Sequence, residues 1–298
     1  INTESEYTPN IPFAQIGETG YPSLEAAAAA AQAGDEILLL ANVTLSEELT
    51  TPADITLNGN GKQINGSIVA GGALTIKGHT KVTKFGAGSG DVITIGEGAC
   101  LEMNGTDRMV IGHGCTFNIT GTITDAKTAN VADLTPSLIM PGASFTGAGV
   151  TFNVTNAYIS APSSYCSSSK SASGTFDFNI TNSIWESAGK LAFESQSTAA
   201  TVNFDLVESV LNTGSHLVFG VSRGEVVIDN SNVNVGTSRQ IENQSRMTIK
   251  NGSVVNGAVA TSSNAKNPGT IIVEDATYAV TGEFSGSDLG TGTLIVKK

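Results

Sequence analysis

The chain has 298 residues, of which 40% are hydrophobic and only 14% are charged. Thr, Ser and Asn together supply 87 residues and Gly supplies 34, a composition typical of β-rich, turn-rich proteins. The formal net charge of −12 argues against nucleic acid and anionic membranes as partners, because both need a cationic surface, and no uncharged apolar run reaches the roughly 18 residues of a membrane span.

The N-terminal part of the chain predicts a short helix. Residues 1–20 are interpreted as an N-terminal extension, and residues 21–298 as a single domain that begins with a capping helix at about 22–33. Ser23 can cap this helix, and Gly34 can end it in the left-handed conformation. A strand at Ile37–Leu40 follows. Such a helix would cover the open edge of a stacked-strand domain.

A repeat with a period of 21 to 26 residues dominates the rest of the chain. Apolar residues occupy one column of the repeat: Val154, Ile180, Leu206, Ile228, Ile249 and Val273. Two residues after each of them comes a residue suited to a sharp corner: Asn156, Asn182, Glu208, Asn230, Asn251 and Asp275. Asn and Asp tolerate the left-handed backbone that such corners require.

Each repeat contains three short strands, which predicts an all-β fold, a right-handed parallel β-helix of about ten three-strand coils. The less regular segments at 125–136 and 162–174 are interpreted as loop insertions. A β-sandwich is the alternative, but it would not keep one apolar column at near-constant intervals.

The opening of the domain resembles that of pectin-lyase-like right-handed parallel β-helix proteins, especially the secreted and surface-anchored ones of gut bacteria. Three segments carry the resemblance: Tyr21-Pro-Ser-Leu-Glu-Ala-Ala, Gly34-Asp-Glu-Ile-Leu-Leu-Leu and Ile55-Thr-Leu-Asn-Gly-Asn-Gly. The resemblance implies the fold and an extracellular or cell-surface setting, after removal of a signal segment not present in this chain. It does not by itself imply catalysis.

Catalytic sets of related polysaccharide-degrading enzymes are not evident in the sequence. His113 lies between two glycines as in polygalacturonases, but the carboxylate motifs of those enzymes are missing. A lyase would need calcium and an Arg or Lys as base, and the Arg residues lie on different coils. Arg223, Arg239 and Arg246 could still approach one edge.

A polar row on the outside of the coils is the first candidate ligand-binding site. If the apolar column points inward, then side chains on successive coils point outward and form a row: Asn153, Asn179, Asp205, Asp177 and Asp229. Amides and carboxylates about 4.8 Å apart could match the hydroxyls of an extended glycan, or bind calcium weakly. Simple solvation of a strand face is the alternative. No other cofactor is expected.

Trp185 is the second candidate. If its indole points outward, with Ile159 and Leu211 on adjacent coils, it would form a platform for a sugar ring or a patch for another protein. If the register is shifted, Trp185 belongs to the core.

The sequence thus predicts a non-catalytic, adhesin-like surface protein, expected to be monomeric, that binds a polysaccharide or a surface protein along its lateral face. A polysaccharide lyase or glycoside hydrolase acting on acidic polysaccharide is the alternative. The spacing of Cys100 and Cys115 leaves open whether these two residues form a disulfide.

Overall fold

The computed structural model describes most of the chain. The described residues are 11–104, 109–112, 114–125, 138–139, 149–161, 164–168, 174–195, 199–220, 224–236, 240–243, 245–256, 258–261, 269–279 and 293–297. Parallel strands stack coil upon coil along one axis and form a solenoid with three sides.

The first side is a sheet whose parallel strands follow chain order from coil to coil. Its strands are Glu36–Leu39, Ile55–Asn58, Ala73–Lys77, Val92–Ile95, Thr116–Ile119, Thr151–Thr155, Gly174–Thr181, Ala200–Val207, Glu225–Asp229, Arg246–Lys250, Thr270–Glu274 and Thr293–Lys297.

The second and third sides form the rest of each coil. Strands on the second side are Val43–Thr44, Cys100–Met103, Thr122–Asp125, Tyr158–Ala161, Ile184–Ser187, Val210–Thr213, Asn232–Val235, Val254–Asn256 and Thr277–Ala279. Strands on the third side are Leu49–Thr50, Met109–Ile111, Leu138–Ile139, Ser164–Ser168, Leu191–Ser195, Leu217–Gly220, Gln240–Asn243 and Ala258–Thr261. Two longer strands, Gln63–Ala70 and His79–Ala87, run along both of these sides.

The predicted all-β parallel solenoid is confirmed, with strands making up 61% of the structure. On the third side eight separate strands stack with the ends of the two longer strands, Gln63–Ala70 and His79–Ala87, in agreement with about ten coils. In the N-terminal coils two sides merge into one long strand, so these coils lack the predicted three separate strands. The right-handed sense is the one that parallel crossovers almost always take, and it stays a prediction here.

The N-terminal end is covered as expected, although by a shorter helix. The helix runs over Leu24–Ala30, and the Ser23 hydroxyl accepts a hydrogen bond of 3.1 Å from the Ala26 amide. The strands Ala14–Ile16 and Thr19–Tyr21 extend the first sheet in antiparallel orientation beyond Glu36–Leu39, so the sheet begins before residue 21. No helix in the described part of the chain is long and apolar enough to cross a membrane.

Equivalent apolar residues stack on one another inside the solenoid. The rings of Phe117, Phe152 and Phe178 lie in register on the first side, with centroid distances of 5.0 Å and 5.3 Å. Phe204 continues this column, and Phe193 from the third side packs against it at 4.5 Å. The inward parity predicted for the first side is therefore confirmed.

The predicted corner residues all have a left-handed backbone. Their φ angles lie between 45° and 54°, at Asn156, Asn182, Glu208, Asn230, Asn251 and Asp275. Glu208 adopts this conformation although it lacks the short side chain that eases it in Asn and Asp. Each of these six corners thus contains one non-glycine residue in the left-handed conformation.

A buried serine follows the left-handed residue at four successive corners: Ser183, Ser209, Ser231 and Ser253. Each hydroxyl accepts a hydrogen bond from a backbone amide of the preceding coil, at 3.0 to 3.1 Å. It also donates to a carbonyl of its own corner, at 2.6 to 2.7 Å. The serines therefore satisfy backbone groups that the sharp turn removes from the strand ladder.

We expect Ser209→Ala to destabilise the protein by about 1–3 kcal/mol, because it leaves the buried Ser183 amide without its acceptor. Ser160→Ala, on the partly exposed outer face of the second side, is the control and should have little effect. Urea unfolding measures both variants. Equal stability of the two would contradict a structural role for the serine column.

Candidate functional site

The predicted polar row lies on the outer face of the first side. Asn153, Asn179 and Asp205 stand in one column, directly in register on successive coils. Asp177 lies in the column on one side of it, and Asp229 in the column on the other. All five are half-buried or exposed, so the structure brings these predicted residues together on one surface.

The amides of this row bond mainly to one another. The Asn179 Nδ2 donates to Asn153 Oδ1 at 2.9 Å, and the Asn153 Nδ2 donates to Asn118 Oδ1 at 3.0 Å. In the neighbouring columns, Asp177 accepts from the Asn203 amide at 2.8 Å, and Asp229 forms an ion pair with Lys250 at 3.2 Å. These contacts stabilise the stack of coils, as the solvation alternative would also allow.

Asp205 interrupts this amide ladder. It stands beside Asn179, where another Asn could donate to the Asn179 oxygen but a carboxylate cannot. Partial burial raises the pKa of Asp205 above its ordinary value, and the neighbouring carboxylates of Asp177 and Glu225 raise it further, against the opposing effect of Lys250. The amide ladder of the first side therefore ends at a carboxylate, Asp205, whose charged form is disfavoured by its surroundings.

The calcium hypothesis finds no ligand set in the described part of the chain, where no three His, Cys, Asp or Glu residues are grouped so as to hold a metal ion. Calcium binding elsewhere stays a prediction.

The alternative in which Trp185 forms an outward platform is wrong. Its side chain is fully buried, in register with Ile159 and Leu211, and its ring meets Phe193 edge-on at 5.1 Å. The left-handed residue Asn182 is the physical reason, because the corner it makes shifts the inward parity by one residue. Ile184 therefore lies on the outer face, where 40% of it is exposed.

A groove of about 550 Å³ lies on the outer surface of the second side. Its lining residues come from five successive strands of that side and the corners that follow them: Asp125, Ser160, Ala161, Glu186, Ser187, Ala188, Asn212, Thr213, Gly214, Asn234, Val235 and Gly236. Since neighbouring strands are about 4.8 Å apart, the groove runs for about 19 Å across the coils, along the solenoid axis.

A second amide ladder forms one wall of this groove. The Asn212 Nδ2 donates to Glu186 Oε1 at 2.9 Å, and the Asn234 Nδ2 donates to Asn212 Oδ1 at 2.8 Å. The Asn256 Nδ2 extends the ladder to Asn234 at 2.6 Å. The Tyr158 hydroxyl donates to Glu186 Oε2 at 2.9 Å, so both carboxylate oxygens of Glu186 are held as acceptors.

Small residues at the corner form the floor of the groove. Ala188, Gly214 and Gly236 occupy equivalent places on successive coils, and Ala161 lies on the coil before them, in register with Ser187. A Cβ on Gly214 would lie 2.3 Å from the Ala188 carbonyl oxygen, and one on Gly236 would lie 2.4 Å from the Gly214 oxygen. The close approach of the coils therefore requires glycine at both places, and this keeps the floor low.

The sequence contains a repeating set of polar residues that marks one wall of this groove. Glu186, Asn212, Asn234 and Asn256 follow one another at 26, 22 and 22 residues, within the range of the main repeat. Sequence reasoning missed this set, because an outward Trp185 implies that Ile184 and Glu186 point inward, whereas in the structure Trp185 is buried and Ile184 is exposed. The groove itself arises from the glycines and alanines, which carry no chemical motif.

The other sequence candidates contribute little to a site. His113, Arg223 and Arg239 lie outside the described residues, whereas Arg246 is exposed on the first side. Cys100 and Cys115 are free and form no disulfide. Burial raises the pKa of the Cys115 thiol to about 11, so it is a protonated core group and not a nucleophile.

Replacement of Trp185 tests its place in the core. We expect Trp185→Ala to lower the free energy of unfolding by about 3–5 kcal/mol through the cavity it leaves. Trp185→Phe should cost clearly less, because the indole nitrogen has no hydrogen-bond partner among the described residues to lose. Thermal unfolding measures the stability of both variants, and acrylamide quenching of the wild-type fluorescence measures the exposure of the indole. Burial would be contradicted if acrylamide quenched the Trp185 fluorescence of the wild-type protein efficiently and if Trp185→Ala had an unchanged Tm.

Asp205 should make the protein less stable as the pH rises. A carboxyl whose pKa is raised by folding binds its proton more tightly in the folded state, so its stabilising effect is present below the unfolded value of about 3.9 and is lost through the raised folded pKa. Asp205→Asn should remove this dependence and, with one added hydrogen bond to Asn179, raise stability at pH 7 by about 0.5–1.5 kcal/mol.

Asp205→Ala is the matched control, because it removes the charge without extending the ladder. Chemical denaturation between pH 3 and pH 8 compares the three proteins. A wild-type protein that gains stability through this window relative to Asp205→Asn would contradict the assignment.

No family model matches this chain, and neither a curated protein nor a solved structure is significantly similar to it. The pectin-lyase-like character of its N-terminal segments therefore stays a prediction, while the parallel solenoid architecture is confirmed.

Proposed function

We propose that this protein is a non-catalytic, adhesin-like protein of the cell surface or extracellular space that binds polysaccharide along its lateral face. The groove on the second side is the observation that carries the proposal. Its lining residues come from five successive coils, which suits an extended polymer better than a compact small molecule.

The rigidity of the wall supports a binding role. Asn212 and Asn234 are tied to their neighbours above and below by side-chain hydrogen bonds, so their remaining polar positions are fixed before any ligand arrives. A preorganised surface loses little conformational entropy on binding.

An extracellular setting agrees with the low charge and the abundance of Thr, Ser and Asn. It also agrees with the resemblance of segments 21–27, 34–40 and 55–61 to secreted β-helix proteins. A surface protein remains the other partner class for the lateral face, with the exposed Tyr158 and Ile184 beside the groove as the apolar contacts it would use.

A glycoside hydrolase is the second candidate function, because two carboxylates, Asp125 and Glu186, line the same groove. They stand on strands two coils apart, and inverting glycosidases use carboxyl groups separated by about 6.5–9.5 Å. Against this, both Glu186 oxygens already accept hydrogen bonds, which holds this group as an acceptor and not as a proton donor. A lyase is less favoured, since no Lys or Arg is among the described lining residues.

A paired binding and activity screen tests the proposal. Purified protein is incubated with a panel of insoluble and soluble polysaccharides, and depletion from solution, reducing ends and the ultraviolet absorbance of unsaturated products are measured. We expect depletion by at least one polysaccharide with neither product signal.

Product release that disappears in both Asp125→Asn and Glu186→Gln would replace the binding function by a hydrolase. Absence of binding to every polysaccharide would overturn the proposal.

A further inference from the structure

We infer that the groove on the second side takes an uncharged polysaccharide chain that lies along the solenoid axis. The inference rests on the proposed function and names its ligand class and its site. It also departs from the acidic polysaccharide that the sequence suggested as the substrate of an enzyme.

Charge is the first argument. Asp125 and Glu186 line the groove, and no Lys or Arg is among its described lining residues. The whole chain carries a formal net charge of −12, which adds long-range repulsion of an anionic polymer. A polyuronate would bring one negative charge per sugar next to these carboxylates without a cation to pair it.

Hydrogen-bonding capacity is the second argument. Each Asn of the wall uses one N–H and one oxygen lone pair within the ladder, and an amide has two of each. Asn212 and Asn234 therefore present one more donor and one more acceptor to the groove on each coil. A hydroxyl group is itself both donor and acceptor, whereas a carboxylate only accepts. Sugar hydroxyls thus match the wall more fully than uronate groups do.

The shape of the floor is the third argument. Ala161, Ala188, Gly214 and Gly236 leave a low surface on which a chain can approach the backbone closely. No aromatic side chain is among the described lining residues, so the contact depends on hydrogen bonds repeated from coil to coil instead of ring stacking. The repeat sets the orientation, because equivalent groups recur only along the axis.

Three classes of polysaccharide serve as probes. The uncharged class is xylan, β-glucan and mannan; the acidic class is polygalacturonate and alginate; the cationic class is chitosan. Affinity electrophoresis and isothermal titration calorimetry measure binding at low and at high salt. We expect binding to at least one uncharged chain with little dependence on salt, and none to the acidic chains.

Two variants place the site. Ala188→Leu fills the exposed floor and should abolish measurable binding, while Asn212→Ala should weaken it roughly 3- to 10-fold through lost hydrogen bonds. Asn58→Ala is the matched control, because it breaks an equivalent hydrogen bond from an Asn amide to a Glu carboxylate, that of Glu36, on the first side. It should leave binding within about twofold of the wild type, since distant sites act independently. The Tm of each variant monitors folding.

The outcomes separate the inference from the proposed function. Binding that survives Ala188→Leu but is lost in Asn179→Ala or Asp205→Asn puts the ligand on the first side, which overturns the groove and keeps the lateral-face function. Binding only to acidic chains, or only to chitosan with strong salt dependence, overturns the uncharged ligand. No binding to any of these polysaccharides overturns both.

Discussion

The register of parallel stacking is the constraint on which the rest of this structure depends. Each coil hydrogen-bonds to the next with equivalent residues directly in line, so every side chain meets its own counterpart about 4.8 Å away. A column therefore has to consist of residues that tolerate their own kind. Phenylalanine inside and asparagine outside satisfy this rule, and the buried serines satisfy it at the corner. Carboxylates that lie close together do not, and the pKa of Asp205 is raised by its partial burial and by Asp177 and Glu225, which lie outside its own column.

The same register explains how much of the fold could be predicted from the sequence. The column from Val154 to Val273 and the left-handed corners repeat at visible intervals, so the first side and its inward parity were predictable. The parity of the second side was not, because the effect of a left-handed residue on the next strand is geometric and leaves no compositional mark. Trp185 is the example, because a shift of one residue in the inward parity moves its side chain from the surface to the core.

The candidate site was predictable only in its chemistry. A row of amides and carboxylates was expected on one outer face, and the described residues form such rows on two sides, one ending at Asp205 and one ending at Glu186. What distinguishes them is shape, because the first side is a sheet face whereas the second side ends in a corner of alanine and glycine. The groove is deep because its floor residues have no side chain or only a methyl group, and such residues form no recognisable chemical motif in the sequence. Small residues at a repeated corner are therefore a signal that should be sought alongside polar rows.

The groove and the fold are not independent features of this molecule. Gly214 and Gly236 are required because the carbonyl oxygen of the preceding coil leaves no room for a Cβ, and the low floor follows from that same contact. The wall is rigid because the amides that face the groove also tie one coil to the next. A solenoid of this kind thus forms a binding surface from the interactions that stabilise it, with each coil adding one equivalent set of weak contacts. Affinity in such a groove depends on how many coils the ligand spans, which favours a polymer over its isolated sugar units.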